Sequence, residues 1–231
     1  MKLPAAILLA GGRGTRLGSL TDAVPKPLLE VAGRPFIFFV LDHLKDAGVE
    51  RIMISTGYRA EQFDQTIGNR YRGMHVQYEV EDEPLGTGGA LMRSLAALGE
   101  TAFVLNADTL FRISLARMLR VHQSMQADIT FAVREVPDVS RYGAVILEGS
   151  RVISVAQQRV PGPGLINGGI YLISPHIFSD FAAMKRFSFE TEFVPGALAR
   201  LIVAGYTDAG YFIDMGVPVD FARAQRELRD P

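Results

Sequence analysis

Apolar positions along the chain alternate between two rhythms. Ala5-Ala6-Ile7-Leu8-Leu9-Ala10 is apolar throughout, which predicts a strand covered on both faces of a parallel sheet. Residues 35–47 then place Ile37, Val40, Leu41 and Leu44 at helical spacing, and Gly48 supplies a stop. Residues 51–56 read as a second buried strand and 59–70 as a second helix. The alternation continues with strands at 76–80, 101–105 and 129–133 and helices at 88–98 and 114–126. This pattern predicts an α/β fold built on a doubly wound sheet.

After about residue 138 the texture changes. Residues 144–147 and 152–155 flank Glu148-Gly149-Ser150, a hairpin signal. Residues 170–173 predict a strand, 191–205 a helix, 211–213 a strand and 219–228 a closing helix. No linker, low-complexity segment, internal repeat or hexapeptide period interrupts the chain, so no β-helix is expected on it. The expectation is one Rossmann-like domain over 1–231. Its central sheet should be mixed but mostly parallel, with helices on both faces.

Composition narrows the partners. A chain of 231 residues, 48% hydrophobic, can bury a sizeable core. A net charge of −1 argues against a general nucleic-acid or membrane-surface binder, so affinity for phosphates must come from locally placed groups. With no cysteine there is no disulfide, thiolate metal site or cysteine nucleophile. The apolar opening is too short to span a bilayer and runs directly into a glycine-rich loop, so a soluble, cytoplasmic protein is expected. No interface signature is visible, and a homo-oligomer is left open.

That loop carries the first chemistry. Gly11, Gly12 and Gly14 follow a buried strand, where backbone N–H groups can approach an anion unobstructed. The spacing matches neither the Walker A pattern nor the dinucleotide Gly-x-Gly-x-x-Gly, and the second strand ends at Ser55-Thr56-Gly57 without an acid. Arg16 lies two residues past the last glycine, and Lys26 stands between Pro25 and Pro27, which stiffen it. A stiffened lysine suits a fixed charge on a phosphate, and an arginine fork grips phosphate oxygens; alone, Lys26 reads equally as a solvated loop residue.

Leu9-Ala10-Gly11-Gly12-Arg13-Gly14-Thr15-Arg16-Leu17 with Pro25-Lys26-Pro27-Leu28 resembles the signature of sugar-phosphate nucleotidyltransferases. The likeness continues in family order through Glu83-Pro84-Leu85-Gly86-Thr87-Gly88-Gly89-Ala90, Asn106-Ala107-Asp108 and Phe212-Ile213-Asp214-Met215-Gly216. It implies transfer of a nucleoside monophosphate from a triphosphate to a sugar 1-phosphate, with release of pyrophosphate. The sugar phosphate is already a dianion and needs no base. This agrees with four histidines, His43, His75, His122 and His176, none beside a motif and each expected to be a surface or helix residue.

The resemblance also implies roles. Arg16, Lys26 and Asp108 are the catalytic candidates, with Arg16 on the leaving phosphates and Lys26 on the reacting one. Leu9, Gly11, Gly12, Gly14, Thr15, Glu81, Gly86, Thr87 and Gly88 join them around the nucleotide. Asp108 and Asp214 each follow an apolar strand, where either alone reads as a cap or turn aspartate; as a pair they are implied to hold Mg²⁺. Glu81 either meets the base edge, favouring guanine or uracil over adenine, or is a solvated acid in the run 79–83. Tyr142, Gly143, Asn167, Gly168 and Glu190 match sugar-lining positions, since Asn and Glu suit hydroxyl recognition. The nucleotide is thus expected on a half of about 1–137 and the sugar on 138–231.

Ile166-Asn167-Gly168-Gly169-Ile170-Tyr171 with Phe187-Ser188-Phe189-Glu190 is most similar to the branch acting on D-glycero-α-D-manno-heptose 1-phosphate with GTP, which serves bacterial surface-glycan synthesis. UTP, or mannose, glucose or N-acetylmuramate 1-phosphate, are alternatives, as is a silent nucleotide-sugar-binding regulator. Retention of Arg16, Lys26, Asp108 and Asp214 weighs against the silent form. Two positions depart from the family pattern. Ala156-Gln157-Gln158-Arg159 lacks the lysine that grips the sugar phosphate in many relatives, with Arg159 as a candidate substitute. Thr191 stands where a basic residue often follows the acid.

Overall fold

A computed structural model of the chain describes residues 2–12, 14–156, 161–179 and 185–229, with only the backbone of Thr15. The first half winds strand and helix alternately. β1 (Ala6–Leu9) leads through a loop and a small ribbon, β2 (Glu30–Val31) and β3 (Arg34–Pro35), to α1 (Ile37–Ala47). β4 (Arg51–Thr56), α2 (Ala60–Ile67), β5 (Arg70–Tyr71) and β6 (Met74–Val80) follow, then α3 (Gly86–Leu98), β7 (Ala102–Asn106), β8 (Thr109–Phe111), α4 (Leu115–Ser124) and β9 (Ile129–Val136). The second half contributes the hairpin β10 (Val145–Glu148) and β11 (Arg151–Val155), then β12 (Gly164–Ile173), α5 (Val194–Ala197), β13 (Val203–Thr207), β14 (Phe212–Asp214) and α6 (Pro218–Glu227).

Among the described residues, ten strands form one sheet in the order β10-β11-β13-β9-β12-β7-β1-β4-β6-β5. β7, β1, β4 and β6 are parallel neighbours, and β13 runs parallel to β9. β12 runs antiparallel to both β7 and β9. The sheet is therefore mixed and mostly parallel by strand direction, as the pattern predicted. Alternate side chains of β1 enter different cores: Ala6 and Leu8 pack with α1, α2, α4 and α6, while Ile7 packs with α3, α5 and the segment before α5. Both faces are covered, which is why the strand carries no polar residue.

One element departs from expectation. Residues 191–205 do not form a helix. A five-residue π-helical turn, Phe189–Phe193, runs into the four-residue α5, and the chain then enters β13. Pro195-Gly196 weakens the helix, and β-favouring Val203, Tyr206 and Thr207 fill a slot between β11 and β9, with Val203 opposite Ile129. The Ile202 amide donates to Asp128 Oδ2 at 2.7 Å and fixes the entry. The two-residue strands and β8 also escape the period reading, and β12 begins six residues before the predicted 170.

Candidate active site

The C-terminal ends of β1, β4, β6 and β7 share one edge of the sheet, where open α/β folds place ligands. A cavity of about 910 Å³ lies there. Leu9, Gly11, Gly12, Gly14, Arg16 and Lys26 line its first wall, and Glu81, Gly86, Thr87 and Asp108 its second. An adjoining cavity of about 350 Å³ takes Tyr142, Gly143, Asn167 and Gly168. Asn106, Thr109, Glu190 and Asp214 border both, so the two chambers adjoin along these residues.

Lys26 opens a 3-10 turn after Pro25 and is buried, its side chain 5% exposed. Its ammonium donates to Asp108 Oδ2 and lies 4.0 Å from Asp214 Oδ1. Gly14, at φ +65°, packs over it: a Cβ there would stand 3.0 Å from Lys26 Cβ. The glycine loop thus seats the lysine as well as exposing amides. Asp108 follows β7 and Asp214 ends β14, which pairs with β8 so that Thr109 faces Asp214. Burial and then the Asp108 charge raise the pKa of Asp214, against the lowering pull of Lys26 and Arg141. Arg141 reaches Asp214 Oδ2 at 3.3 Å and also pairs with Asp220, 5% exposed at the start of α6.

Two converging carboxylates, partly neutralised by the Lys26 ammonium and the Arg141 guanidinium and open to a cavity, are a fitting donor set for a hard divalent ion. No group of three or more metal-ligating side chains occurs among the described residues. The protein offers two oxygen ligands, which suits Mg²⁺, an ion that keeps waters and takes phosphate oxygens.

Glu81 follows β6, where Oε2 accepts from the Leu85 amide at 2.9 Å. A Cβ on Gly11 would stand 2.9 Å from its other oxygen, so Oε1 faces the loop. Burial raises its pKa. Glu81 is thus half-buried and held in place, not a freely solvated acid.

A hydrogen-bond chain crosses the boundary between the chambers. Asn167 Nδ2 donates to Tyr171 Oη at 2.7 Å, and Tyr171 donates to Glu190 Oε1 at 3.1 Å. Thr87 Oγ1 donates to Glu190 Oε2 at 2.7 Å and accepts from the Phe189 amide at 2.9 Å. Burial pushes the Tyr171 phenol well above its usual pKa, so it stays protonated and donates. Asn167 is aimed by an irregularity at Gly168-Gly169, which breaks the pairing of β12 with β9 between Asn167 and Tyr171.

Gly88 is placed differently from the rest of the nucleotide set. It is buried outside the cavity lining, donating to the Phe187 carbonyl at 2.9 Å, with the Phe187 ring where a Cβ would be. The side chain of Thr15 and all of Arg159 lie outside the described residues. Sequence reasoning missed Tyr171, Asn106, Thr109, Arg141 and Arg186. Asn106 opens the Asn106-Ala107-Asp108 motif without having been given a role, Thr109 follows it and Arg141 precedes Tyr142, so adjacency was an available signal. Arg186, a cation that lines the main cavity, had none.

The family model described as nucleotidyl transferase matches residues 5–230. The chain belongs to the nucleotidyl transferase family. This nucleotidyl transferase is 37% identical over 225 residues to the D-glycero-alpha-D-manno-heptose 1-phosphate guanylyltransferase of Aneurinibacillus thermoaerophilus, covering 97% of this chain and 98% of that one. It is 39% identical over 217 residues to the enzyme of the same name from Campylobacter jejuni, covering 94% and 96%. The crystal structure of HddC from Yersinia pseudotuberculosis complexed with GMP-PN matches with TM-score 0.87 and 32% identity, over 98% of this chain and 100% of that one. No helix among the described residues of the transferase is long and apolar enough to cross a membrane.

Proposed function

We propose that the chain joins GMP from GTP to D-glycero-α-D-manno-heptose 1-phosphate, giving GDP-heptose and pyrophosphate. The observation that carries this is the adjacency of the two chambers at Asn106, Thr109, Glu190 and Asp214, with Asp214 on their common border and Lys26 and Asp108 beside it in the larger one. Two substrates seated in such chambers meet where the charges are. The guanylyltransferase relatives, similar over nearly their whole length, support the substrate pair.

In this reading the sugar-phosphate oxygen attacks the α-phosphorus of GTP. The new P–O bond forms as the bond to the β-phosphate bridging oxygen breaks, and pyrophosphate departs with that electron pair. The residues position groups and neutralise charge; they transfer no proton to start the reaction. Lys26 is preset: its proline-flanked turn and Gly14 hold the ammonium at the junction before substrate arrives. Exposed Arg16 takes the β and γ phosphates. Glu81 accepts from guanine N1–H and the N2 amine, and the Leu85 amide fixes its rotamer. Asn167 and Glu190 read sugar hydroxyls. Asp108 and Asp214 would hold Mg²⁺, which supplies charge neutralisation at the reacting phosphate. Residues 1–137 serve mainly the nucleotide and 138–231 the sugar. Thr87 departs from that division, since its hydroxyl supports Glu190.

The test is pyrophosphate release from a matrix of nucleoside triphosphates and sugar 1-phosphates with Mg²⁺. Release with GTP and the manno-heptose phosphate is expected. Preference for UTP, or for a hexose 1-phosphate, would overturn the substrate assignment.

A further inference from the structure

A separate cavity of about 460 Å³ lies at the other end of the β8–β14 ribbon from the carboxylate pair. The ribbon pairs Thr109 with Asp214 at one end and Phe111 with Phe212 at the other. The next residues outward, Arg112 and Tyr211, line the cavity, and the Arg112 amide donates to the Tyr211 carbonyl at 2.9 Å. No role in the chemistry above uses this space.

Its charges are unevenly matched. Asp42 is shared between Arg34 and Arg72, and Arg72 also meets Asp46 at 3.4 Å. Glu227 accepts from the Tyr211 hydroxyl at 2.8 Å and lies 3.4 Å from Arg223 Nε. The carboxylates are therefore engaged, whereas Arg112 and Arg229 form no ion pair among the described residues. Two buried nitrogens of lining residues, Arg34 Nε and His43 Nε2, have no hydrogen-bond partner among the described residues. Burial, then the Arg112 charge, lowers the pKa of His43, placing the imidazole in the field of that guanidinium. Two guanidinium groups without a carboxylate partner, lining a space of ligand size, suit an oxyanion.

We propose that this cavity binds the phosphoryl group of a small phosphorylated molecule, and that its occupancy modulates turnover at the carboxylate pair. Two connections run from one to the other. The first is the ribbon, with Arg112 four residues beyond Asp108 and Tyr211 three before Asp214. The second is α6: near its start Asp220 pairs with Arg141, which pairs with Asp214, and just past its end Leu228 and Arg229 border the cavity. A ligand drawing Arg112 and Arg229 inward acts on both supports of Asp214. It changes the rate to the extent that it prefers one arrangement of them. The regulatory half of this proposal rests on the function proposed above; the binding half does not. A nucleoside diphosphate and a sugar phosphate present the same chemistry and are separated by experiment.

The experiment follows the imidazole resonances of His43 by NMR, assigned with His43→Gln, during titration with inorganic phosphate, GDP and mannose 1-phosphate. The same ligands are added to the pyrophosphate-release assay. A saturable shift of His43 is expected with GDP or mannose 1-phosphate, whichever is the source. It should accompany a change in kcat of about fivefold or more, non-competitive with both substrates. Arg112→Ala and Arg229→Ala should each abolish shift and effect while leaving basal turnover within about twofold, as exposed substitutions do. An unmoved His43 with all three ligands, or a shift that survives both variants, overturns the site. A shift with unchanged kcat overturns the coupling. Absence of pyrophosphate release from any substrate pair would sink the proposed function instead, and the titration would still decide the cavity.

Discussion

Tyr171→Phe isolates the hydrogen-bond chain on the sugar side. The phenol is fully buried and makes two hydrogen bonds, from Asn167 at 2.7 Å and to Glu190 at 3.1 Å. Phenylalanine keeps the ring and its edge contacts with Phe131 at 5.1 Å and Phe189 at 5.3 Å, so packing is conserved. A bond to a charged acceptor contributes about 1.5–3 kcal/mol and a neutral one about 0.5–1.5. Asn167 and Glu190 both border the sugar chamber, where water can replace the lost partner. The net loss of stability should therefore be about 1–2 kcal/mol, lowering Tm by roughly 2–8 °C for a chain of this size. The kinetic effect is more diagnostic. Without the phenol, Asn167 and Glu190 lose their common orientation, and the KM for sugar 1-phosphate should rise about tenfold, equivalent to about 1.4 kcal/mol. The KM for GTP should not move. Steady-state pyrophosphate release, varying one substrate at saturating levels of the other, measures both. An unchanged sugar KM, or an equal rise for GTP, would refute the chain as a sugar-orienting device.

Asp108→Ala should abolish turnover with circular dichroism unchanged, and should lower Tm because buried Lys26 loses its partner; near-normal activity with Mg²⁺ would remove Asp108 from the metal pair. Lys26→Ala should lower kcat by about 10²–10³ with a smaller change in the KM for GTP, since its charge matters most as the bond forms; a pure KM effect contradicts that role. For Glu81, burial raises the folded-state pKa above the ordinary 4.5, so the folded chain holds this proton more tightly than the unfolded one. Its contribution to stability therefore falls as pH rises through 4.5 toward the raised value. Glu81→Gln should raise Tm at pH 7 but not below pH 4.5. The variant should also weaken GTP binding at pH 7, and a Tm gain that persists at low pH would show that ionisation is not its cause.

The parallel strands were legible because burial on both faces writes an unbroken apolar run, as at 5–10 and 102–105. The glycine loop, Lys26 and the two aspartates were legible because each sits at the carboxyl end of such a run or in a motif of fixed spacing. What stayed hidden depends on partners distant in sequence. Nothing near Thr87 announces that its hydroxyl serves Glu190, and nothing near Gly88 announces Phe187. Tyr171 stands in an apolar strand and reads as core, which by burial it is; only Asn167 and Glu190 on either side make it polar in function. The helix predicted over 191–205 failed because apolar spacing continues through residues that β9 recruits into the sheet, and local pattern does not show which neighbour waits.

The position of β12 bears on how such an enzyme can be altered. β9 falls within residues 1–137, yet both its neighbours, β12 and β13, come from residues 138–231. A fragment ending near residue 137 would leave β9 without a strand beside it and both its edges bare. The two halves are therefore interleaved and not modular. Exchanging them wholesale between relatives would cut the sheet, so new base or sugar preferences are reachable by substitutions at the cavity walls, not by shuffling segments.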